Sequence, residues 1–234
     1  MKKNLLTLFC LMLVNLTSYG CAIIGSGVLS SETRNLSEFN GIDLRSAANV
    51  YVTQGDKQEV RIEADDNIVP HITSEIKNNC LVISNDNDLK AKSPITIYIT
   101  VKEICSIELS GSGNINGMNT LNCEHMTLRL SGSGDIRVNL DTKSLKATLA
   151  GSGNVDLKGR AAETDLRITG SGNVNAKELN SFKSAISITG SGNGSVNVQS
   201  ELDVNILGSG NLYYVSKPDH IQTKVLGSGK VSEI

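Results

Sequence analysis

The chain has 234 residues, a net charge of −2 at pH 7, and 39% hydrophobic residues. The small excess of acids argues against nucleic acid as a partner, because nucleic-acid binding relies on a basic surface. Trp is absent and only 3% of the residues are aromatic, so the core must be built from Ile, Leu and Val.

Residues 1–20 have the layout of a secretory signal peptide. Two lysines precede an apolar run over residues 5–16, which is too short to span a membrane. Ser18 and Gly20 are small residues of the kind that signal peptidases accept, and the next residue, Cys21, is the lipidation candidate of a bacterial lipoprotein. A signal peptidase would cleave the same bond, between Gly20 and Cys21, whether the mature protein is lipidated or simply secreted. We therefore expect an exported cell-envelope protein, anchored by lipid at the outer membrane in the first case, with the membrane leaflet left open.

The cysteines do not indicate a disulfide framework. Cys10 lies in the leader and Cys21 is the lipidation candidate, which leaves Cys80, Cys105 and Cys123. An odd number cannot all pair, and the sequence does not decide whether any two of them do. We expect small, buried or half-buried side chains. Their spacing is not that of a zinc site with paired CxxC motifs.

Residues 21–110 contain imperfect copies of a unit in which two alternating apolar residues precede a polar corner. Residues 21–40 combine the anchor with a first degenerate coil, and residues 41–110 hold irregular coils. Three apolar pairs mark these copies: Ile42 and Leu44, Val60 and Ile62, and Leu81 and Ile83. The longer interval after them must hold an extra strand over residues 95–101. The only helix signal is a single turn near Pro70.

Residues 111–234 repeat the unit regularly. Gly-Ser-Gly recurs at intervals of 18 to 21 residues, and apolar residues lie four and two positions before it in all but the last unit, which is the alternation of a strand with one buried face. Asn or Asp and then an apolar residue usually follow, which starts a second strand. The predicted structural corners are Gly111, Gly113, Gly132, Gly134, Gly151, Gly153, Gly170, Gly172, Gly190, Gly192, Gly208, Gly210, Gly227 and Gly229.

A unit of about 19 residues has the length of one coil of a parallel β-helix. An antiparallel meander is the alternative, but it would reverse the chain after every strand. We therefore predict an all-β, single-stranded parallel β-helix, or β-solenoid, in which each coil stacks on the one before it. About ten coils at roughly 4.8 Å each would give a rod about 50 Å long.

The corner has a direct physical account. A bend between two strands needs residues at positive φ, or residues close to the backbone of the next coil, and glycine meets both needs because it lacks a Cβ atom. The Asn after each corner can exchange side-chain hydrogen bonds with the Asn one coil away. This predicts an asparagine ladder.

Several segments carry a family resemblance. The segments are residues 23–27 (IIGSG), 39–42 (FNGI), 50–55 (VYVTQG) and 63–67 (EADDN). Together with the later GSGN repeats they resemble the GIN domain, also called the head domain of "putative autotransporter adhesins". The resemblance implies a right-handed β-helix in the envelope of Gram-negative bacteria, often on a lipoprotein. At residues 46–48 the glycines of the pattern are replaced, which implies a looser corner.

Enzyme chemistry finds little support. A glycosidase needs two carboxylates across a sugar, and a lyase needs a base with a cationic partner, but the carboxylates here are scattered singly. The Gly-Ser-Gly corners lack the GK[ST] sequence and the helix of a phosphate loop. The three histidines are far apart and have no recurring partner: His71, His125 and His220. Aromatic platforms for a sugar are limited mainly to Tyr51, Tyr98, Tyr213 and Tyr214. We expect no catalytic residue and no cofactor.

One cluster of acidic residues is a candidate cation site. Asp65 and Asp66 fall one predicted coil away from Asp86 and Asp88. Stacked carboxylates repel, so they either splay into solvent or share a cation such as Ca²⁺. The sequence lacks the GGxGxD repeat of calcium β-rolls, which favours splaying.

The sequence thus predicts a non-catalytic, adhesin-like or surface-binding module of the cell envelope. Its partner would be a surface ligand, a glycan or a protein, with the membrane reached only through the lipid anchor. The alternatives are a glycan-active β-helix enzyme, either a lyase or a hydrolase, and an envelope assembly scaffold.

Overall fold

A computed structural model describes residues 22–234, and over this range the protein is a β-solenoid. Strands make up 72% of the structure, and a 3₁₀ turn at Val69–His71 agrees with the turn predicted near Pro70. The predicted signal peptide and the predicted lipidation residue Cys21 lie outside the described residues. None of the helices in the described range has the length and apolar character needed to cross a membrane.

Ten short strands form the irregular N-terminal part, and β9 is the extra strand that the sequence predicted. They are β1 (Ile23–Ile24), β2 (Leu29–Arg34), β3 (Gly41–Leu44), β4 (Asn49–Gln54), β5 (Glu59–Asp65), β6 (Ile72–Lys77), β7 (Cys80–Asn85), β8 (Leu89–Lys90), β9 (Thr96–Val101) and β10 (Ser106–Gly111).

The remaining strands form the regular coils. They are β11 (Asn114–Gly132), β12 (Asp135–Gly151), β13 (Asn154–Gly170), β14 (Asn173–Gly190), β15 (Asn193–Gly208), β16 (Asn211–Tyr214), β17 (His220–Gly227) and β18 (Lys230–Glu233). Each of β11 to β14 bends around the rod and pairs in parallel with the strand of the next coil. The repeat is about 19 residues, and the solenoid has about seven turns.

The N-terminal strands stack in an order that differs from their order in the chain. Leu81 lies beside Ile42, and Ile42 lies beside Ile107, so β7, β3 and β10 are consecutive rungs of one parallel sheet. The predicted copies at Ile42 and Leu81 are therefore in register with the regular coils. The chain between them leaves the stack and returns to it.

The predicted copy at Val60 and Ile62 is wrong. β5 pairs antiparallel with both β9 and β2, whereas a stacked coil would be parallel to its neighbours. The turn at residues 55–58 reverses the chain after β4, so that β5 joins the far edge of β9. Ile23–Ile24 also leaves the stack and pairs with β8. These departures explain why the solenoid has about seven turns rather than the ten expected.

The core consists of aliphatic columns that run along the rod. One inward position is occupied successively by Ile107, Leu128, Ala147, Leu166 and Ile186, all of them buried. Burying one such side chain is worth about 1.5–3 kcal/mol for Leu or Ile. Because every coil adds the same inward positions, the core lengthens without becoming wider. A narrow core of this kind can be filled by aliphatic side chains and does not need Trp.

The first glycine of each corner from Gly132 onward has a positive φ, for example +112° at Gly170. Its environment explains why no side chain fits. The Gly151 carbonyl accepts hydrogen bonds from the N–H groups of both Ser171 and Gly172, each at 3.0 Å. A Cβ atom on Gly170 would lie 2.5 Å from that carbonyl oxygen. The corner N–H groups are thus bonded to the preceding coil and do not form a phosphate loop.

The corner at residues 46–48 differs because of what lies beneath it. A glycine in the regular part is restricted by the carbonyl of the preceding coil, as Gly113 is by Ala48. Beneath Ser46 and Ala48 the chain leaves the stack between β7 and β9 to form β8, so no equivalent corner lies there. Side chains are therefore tolerated at this first corner.

Cys105 and Cys123 form a disulfide, with their Cα atoms 5.6 Å apart. The sequence had left open whether any two of the three cysteines pair, and it predicted small, buried or half-buried side chains. The two cysteines are separated by 18 residues, close to one coil, which stacks them on adjacent turns. Closing a loop of this length stabilises a protein by about 3 kcal/mol. Cys80 is free and half-buried.

Candidate binding face

One side of the rod presents an unbroken sheet of outward side chains, which we call the post-corner face. It comprises β9, β4, β16, β18 and the first residues of β11 to β15, all of which follow a corner or stack on strands that do. Interior strands of this face, such as β4 between β9 and β11, have both backbone edges paired. The face therefore offers side chains to a partner, and not free backbone.

An amide column runs along this face. Asn114 donates to Asn49 at 2.8 Å, and further along the rod Asn173 donates to Asn154 at 3.1 Å. Asn193 continues the series by donating to the Asn173 side chain at 3.1 Å. This is the predicted asparagine ladder, interrupted between Asn114 and Asp135. It fixes the side chains of the column in one orientation.

A second column, the tyrosine column, begins with three planar side chains in register. Arg61, Tyr98 and Tyr51 occupy paired positions on β5, β9 and β4. The two phenol rings stack with their centroids 5.6 Å apart and their planes at 19°. The Arg61 guanidinium lies 4.3 Å from the centroid of the Tyr98 ring and also pairs with Glu63. Aromatic stacking and cation–π contacts thus order these side chains.

The tyrosine column continues to the other end of the rod. Its further members, in register order, are Asn116, Arg137, Asp156, Asn175, Ser195 and Tyr213. Most are linked: Arg137 pairs with Asp156 at 3.5 Å, Asn175 donates to Asp156 at 3.0 Å, and Ser195 donates to Asn175 at 3.0 Å. A tyrosine therefore stands near each end of one ordered polar column.

A shallow depression of about 460 Å³ lies beside the stacked tyrosines. Its side-chain lining combines phenol rings, hydroxyl groups and a thioether: Tyr51, Tyr98, Thr53, Thr96, Thr100 and Met118. Met118 is 60% exposed and Tyr98 is 37% exposed. Tyr51 and Tyr98 were predicted separately as aromatic residues available to a sugar, and their pairing was not predicted. The matching segments Val50-Tyr51-Val52-Thr53 and Ile97-Tyr98-Ile99-Thr100 were the available signal.

A groove of about 490 Å³ on another side is lined by several acids, among them Glu163, Asp165 and Glu201. Two of them pair with basic side chains. A hydrogen bond from Lys183 holds the pKa of Glu201 below its usual value, and Asp165 pairs with Arg167. A glycosidase acid needs a raised pKa to be protonated near neutral pH. Within residues 22–234, every carboxyl group with a clearly shifted pKa is shifted downward.

The histidines do not converge. His71 contacts the carboxylate of Asp86 at 2.9 Å, whereas His125 lies in β11 and His220 begins β17 at the far end of the rod. The corner serines lie at the bends and have no histidine beside them in the repeat. These positions do not form a nucleophile–base pair.

The four aspartates proposed as a calcium candidate take separate roles. Asp65 is buried and accepts hydrogen bonds from the backbone N–H of Lys92 at 2.7 Å and of Ser93 at 3.3 Å. Asp66 accepts from the Ser26 hydroxyl, and Asp86 contacts His71 and Asn87.

Asp88 precedes β8, and its carbonyl accepts from the N–H of Ile23. Among the described residues, the one group of three ligand-type side chains is Glu103, Cys105 and Cys123, and its sulfurs are joined in the disulfide.

Comparison with known proteins identifies the family. The family described as "Putative auto-transporter adhesin, head GIN domain" matches residues 38–218. A crystal structure of a "putative adhesin" from Bacteroides fragilis superposes with a TM-score of 0.85 at 28% identity, covering 91% of this chain and 100% of that one.

Two further crystal structures from Parabacteroides share the fold. A "putative lipid binding protein" from Parabacteroides distasonis has a TM-score of 0.77 at 23% identity, with 92% and 100% of the chains covered. A "putative adhesin" from Parabacteroides merdae has a TM-score of 0.72 at 21% identity, with 91% and 99% covered. No curated protein matches the sequence. On the match over residues 38–218, the chain belongs to the GIN-domain family of adhesin-like β-helix proteins.

Proposed function

We propose that this protein is a non-catalytic, adhesin-like module that binds a surface ligand at the cell envelope. The observation that carries the proposal is the post-corner face, where two columns of largely ordered side chains run along the rod. A long, flat, rigid face suits an extended or repeating ligand better than a single small molecule. Membership of an adhesin-like family supports the same role.

The anchor and the compartment belong to this proposal. Residues 1–20 direct export and Cys21 carries the lipid, which ties the rod to the outer membrane. The disulfide between Cys105 and Cys123 supports export, because disulfides persist in oxidising compartments and are rare in the cytosol.

The glycan-active enzyme is the weaker hypothesis. In the groove lined by Glu163, Asp165 and Glu201, a hydrogen bond from Lys183 holds the pKa of Glu201 below its usual value, which makes Glu201 a poor proton donor to a glycosidic oxygen. An assembly scaffold would also be non-catalytic. It differs from an adhesin in its partner, which would be another envelope protein and not an external surface.

Surface binding can be tested with the full chain carrying Cys21→Ser, labelled with a fluorophore on an added C-terminal tag. We expect saturable binding to intact bacterial or epithelial cells, measured by flow cytometry and competed by unlabelled protein. Binding that is unsaturable, or capture of periplasmic proteins alone in a pull-down, would contradict the adhesin role. Hydrolysis or elimination of a glycan by the purified chain would contradict the non-catalytic role.

A further inference from the structure

We propose that the depression beside Tyr51 and Tyr98 is a binding site for a neutral glycan chain that extends along the tyrosine column. The inference rests on the proposed surface-binding function and names its ligand class and its site.

The depression has the two kinds of surface that a sugar ring requires. A hexose presents an apolar C–H surface on its ring and hydroxyl groups around its rim. The phenol rings of Tyr51 and Tyr98 and the exposed Met118 side chain can pack against the ring, while Thr53 and Thr100 offer hydroxyls to the rim. Ligand sites combine apolar walls with a few fixed polar groups in this way.

The aromatic pair is ordered before any ligand arrives. Tyr98 stacks on Tyr51 and contacts the Arg61 guanidinium at 4.3 Å from the ring centroid. Such ordering lowers the entropy lost when a ligand binds. Tyr also gives a large contact area with few rotatable bonds. The pair is therefore better suited to binding than an isolated, freely rotating tyrosine would be.

Charge balance favours a neutral ligand. Arg61 pairs with Glu63, and Arg137, further along the column, contacts both Asp135 at 2.6 Å and Asp156 at 3.5 Å. Neither guanidinium is left to attract an acidic sugar or a phosphate headgroup. The hydroxyl and amide groups that remain suit the hydroxyls of a neutral polymer.

The column gives the direction of the chain. Six coil steps separate Tyr51 from Tyr213, a distance of about 29 Å at roughly 4.8 Å per step. Between them lie amide, carboxylate and hydroxyl side chains at the spacing of the coils, for example Asn116 and Ser195. A polymer laid parallel to the rod axis can contact the tyrosines at both ends, whereas a monosaccharide reaches only one.

Two other occupants fit less well. A peptide strand would need an open sheet edge, but β4 is paired on both sides by β9 and β11. A lipid chain would need a continuous apolar wall, and threonine hydroxyls interrupt this one. The experiment below also detects binding of a peptide or of a lipid.

The experiment uses the full chain with Cys21→Ser, so that no lipid contributes. Because Trp is absent, the emission of the protein comes from its five tyrosines, two of which, Tyr51 and Tyr98, lie in the site. The probes are cellohexaose, maltohexaose, laminarihexaose, chitohexaose and mannohexaose, titrated by calorimetry and by fluorescence. We expect at least one hexaose to bind and to change the emission, and the matching disaccharide to bind at least about tenfold more weakly.

Variants assign the binding to the site. Tyr98→Ala and Tyr51→Ala should each weaken hexaose binding by about tenfold or more, and Tyr213→Ala should weaken it less. Phe182→Ala is the matched control, because Phe182 is an aromatic residue 53% exposed outside the post-corner face, and it should leave affinity within about twofold. Circular dichroism of each variant verifies that the fold is retained.

Three results would overturn the inference. The first is that no hexaose binds although the same chain binds cells, which would leave the surface-binding function standing. The second is that the Tyr51 and Tyr98 variants bind like the unsubstituted chain. The third is that phosphatidylcholine vesicles or an extended peptide, and no hexaose, bind in a manner that Tyr98→Ala abolishes. A chain that binds neither cells nor hexaoses would refute the proposed function as well.

Discussion

The corner glycines allow a stability test in which nearly identical substitutions should differ widely. In Gly170→Ala the new Cβ atom is placed at a φ of +112° and 2.5 Å from the Gly151 carbonyl oxygen. In Gly111→Ala the backbone is not in the positive-φ region and the nearest oxygen, that of Ser46, is 3.2 Å away. The two residues begin equivalent Gly-Ser-Gly corners, so sequence alone gives no reason for a difference.

The expected magnitudes follow from two contributions. Strain at a positive φ costs about 1–3 kcal/mol for a residue with a side chain. Forcing an atom into a well-packed contact costs about 1–3 kcal/mol more. Gly170→Ala should therefore lose about 2–6 kcal/mol, which corresponds to a fall in Tm of about 5–20 °C for a domain of this size. Gly111→Ala should cost about 1 kcal/mol or less, since only a small shift is needed.

Gly227→Ala extends the test to the last corner. Its Cβ atom would meet the Gly208 carbonyl, which belongs to the preceding coil, so this position should be as sensitive as Gly170 although it lies in the last coil of the stack. Ser171→Ala is the control within the same corner and should cost under about 0.5 kcal/mol, because Ser171 is exposed. Thermal and urea melts followed by circular dichroism measure all four. Equal losses at Gly111 and Gly170, or a harmless Gly170→Ala, would refute the steric argument.

Three further predictions concern single side chains. Cys21→Ser should move the protein from the membrane to the soluble fraction if residue 21 carries a lipid, and unchanged membrane association would contradict the anchor. Burial raises the pKa of the Cys80 thiol to about 11, so at pH 8 iodoacetamide should alkylate it about a hundredfold more slowly in the native than in the urea-unfolded protein, as mass spectrometry can measure. A hydrogen bond from Ser93 lowers the pKa of Asp65 below its ordinary 3.8, so its carboxylate stabilises the fold above about pH 4 and less as the pH falls through the folded value. Asp65→Asn should therefore lower Tm at pH 7, with a difference that shrinks below pH 4; a constant difference would contradict this.

The regular coils could be predicted from sequence because one residue pattern serves every turn. The alternation before Gly170, for example Leu166 and Ile168, fixes the inward positions, and the glycine spacing fixes the coil length. The stacking order of the N-terminal strands could not be predicted in the same way. Val60 and Ile62 alternate like a coil strand, but alternation does not distinguish a parallel from an antiparallel neighbour.

The candidate site was predictable only in part. Tyr51 and Tyr98 were named as exposed aromatics, but their pairing depends on β9 lying beside β4, which follows from an excursion of about forty residues between them. The disulfide illustrates a different gap. The odd number of cysteines left any pairing undecided, although the 18-residue separation of Cys105 and Cys123 matches the coil length.

The dependence of each corner on the coil before it makes the coil an exchangeable unit. Gly151, Gly170 and Gly190 each contact a like glycine in the preceding turn, so removing or duplicating one whole turn brings a glycine into contact with an identical partner. The corner contact between turns is then preserved, and each turn contacts only its neighbours. The length of the rod, and with it the number of side chains offered along the post-corner face, can therefore change in evolution by whole turns without a new core having to be invented.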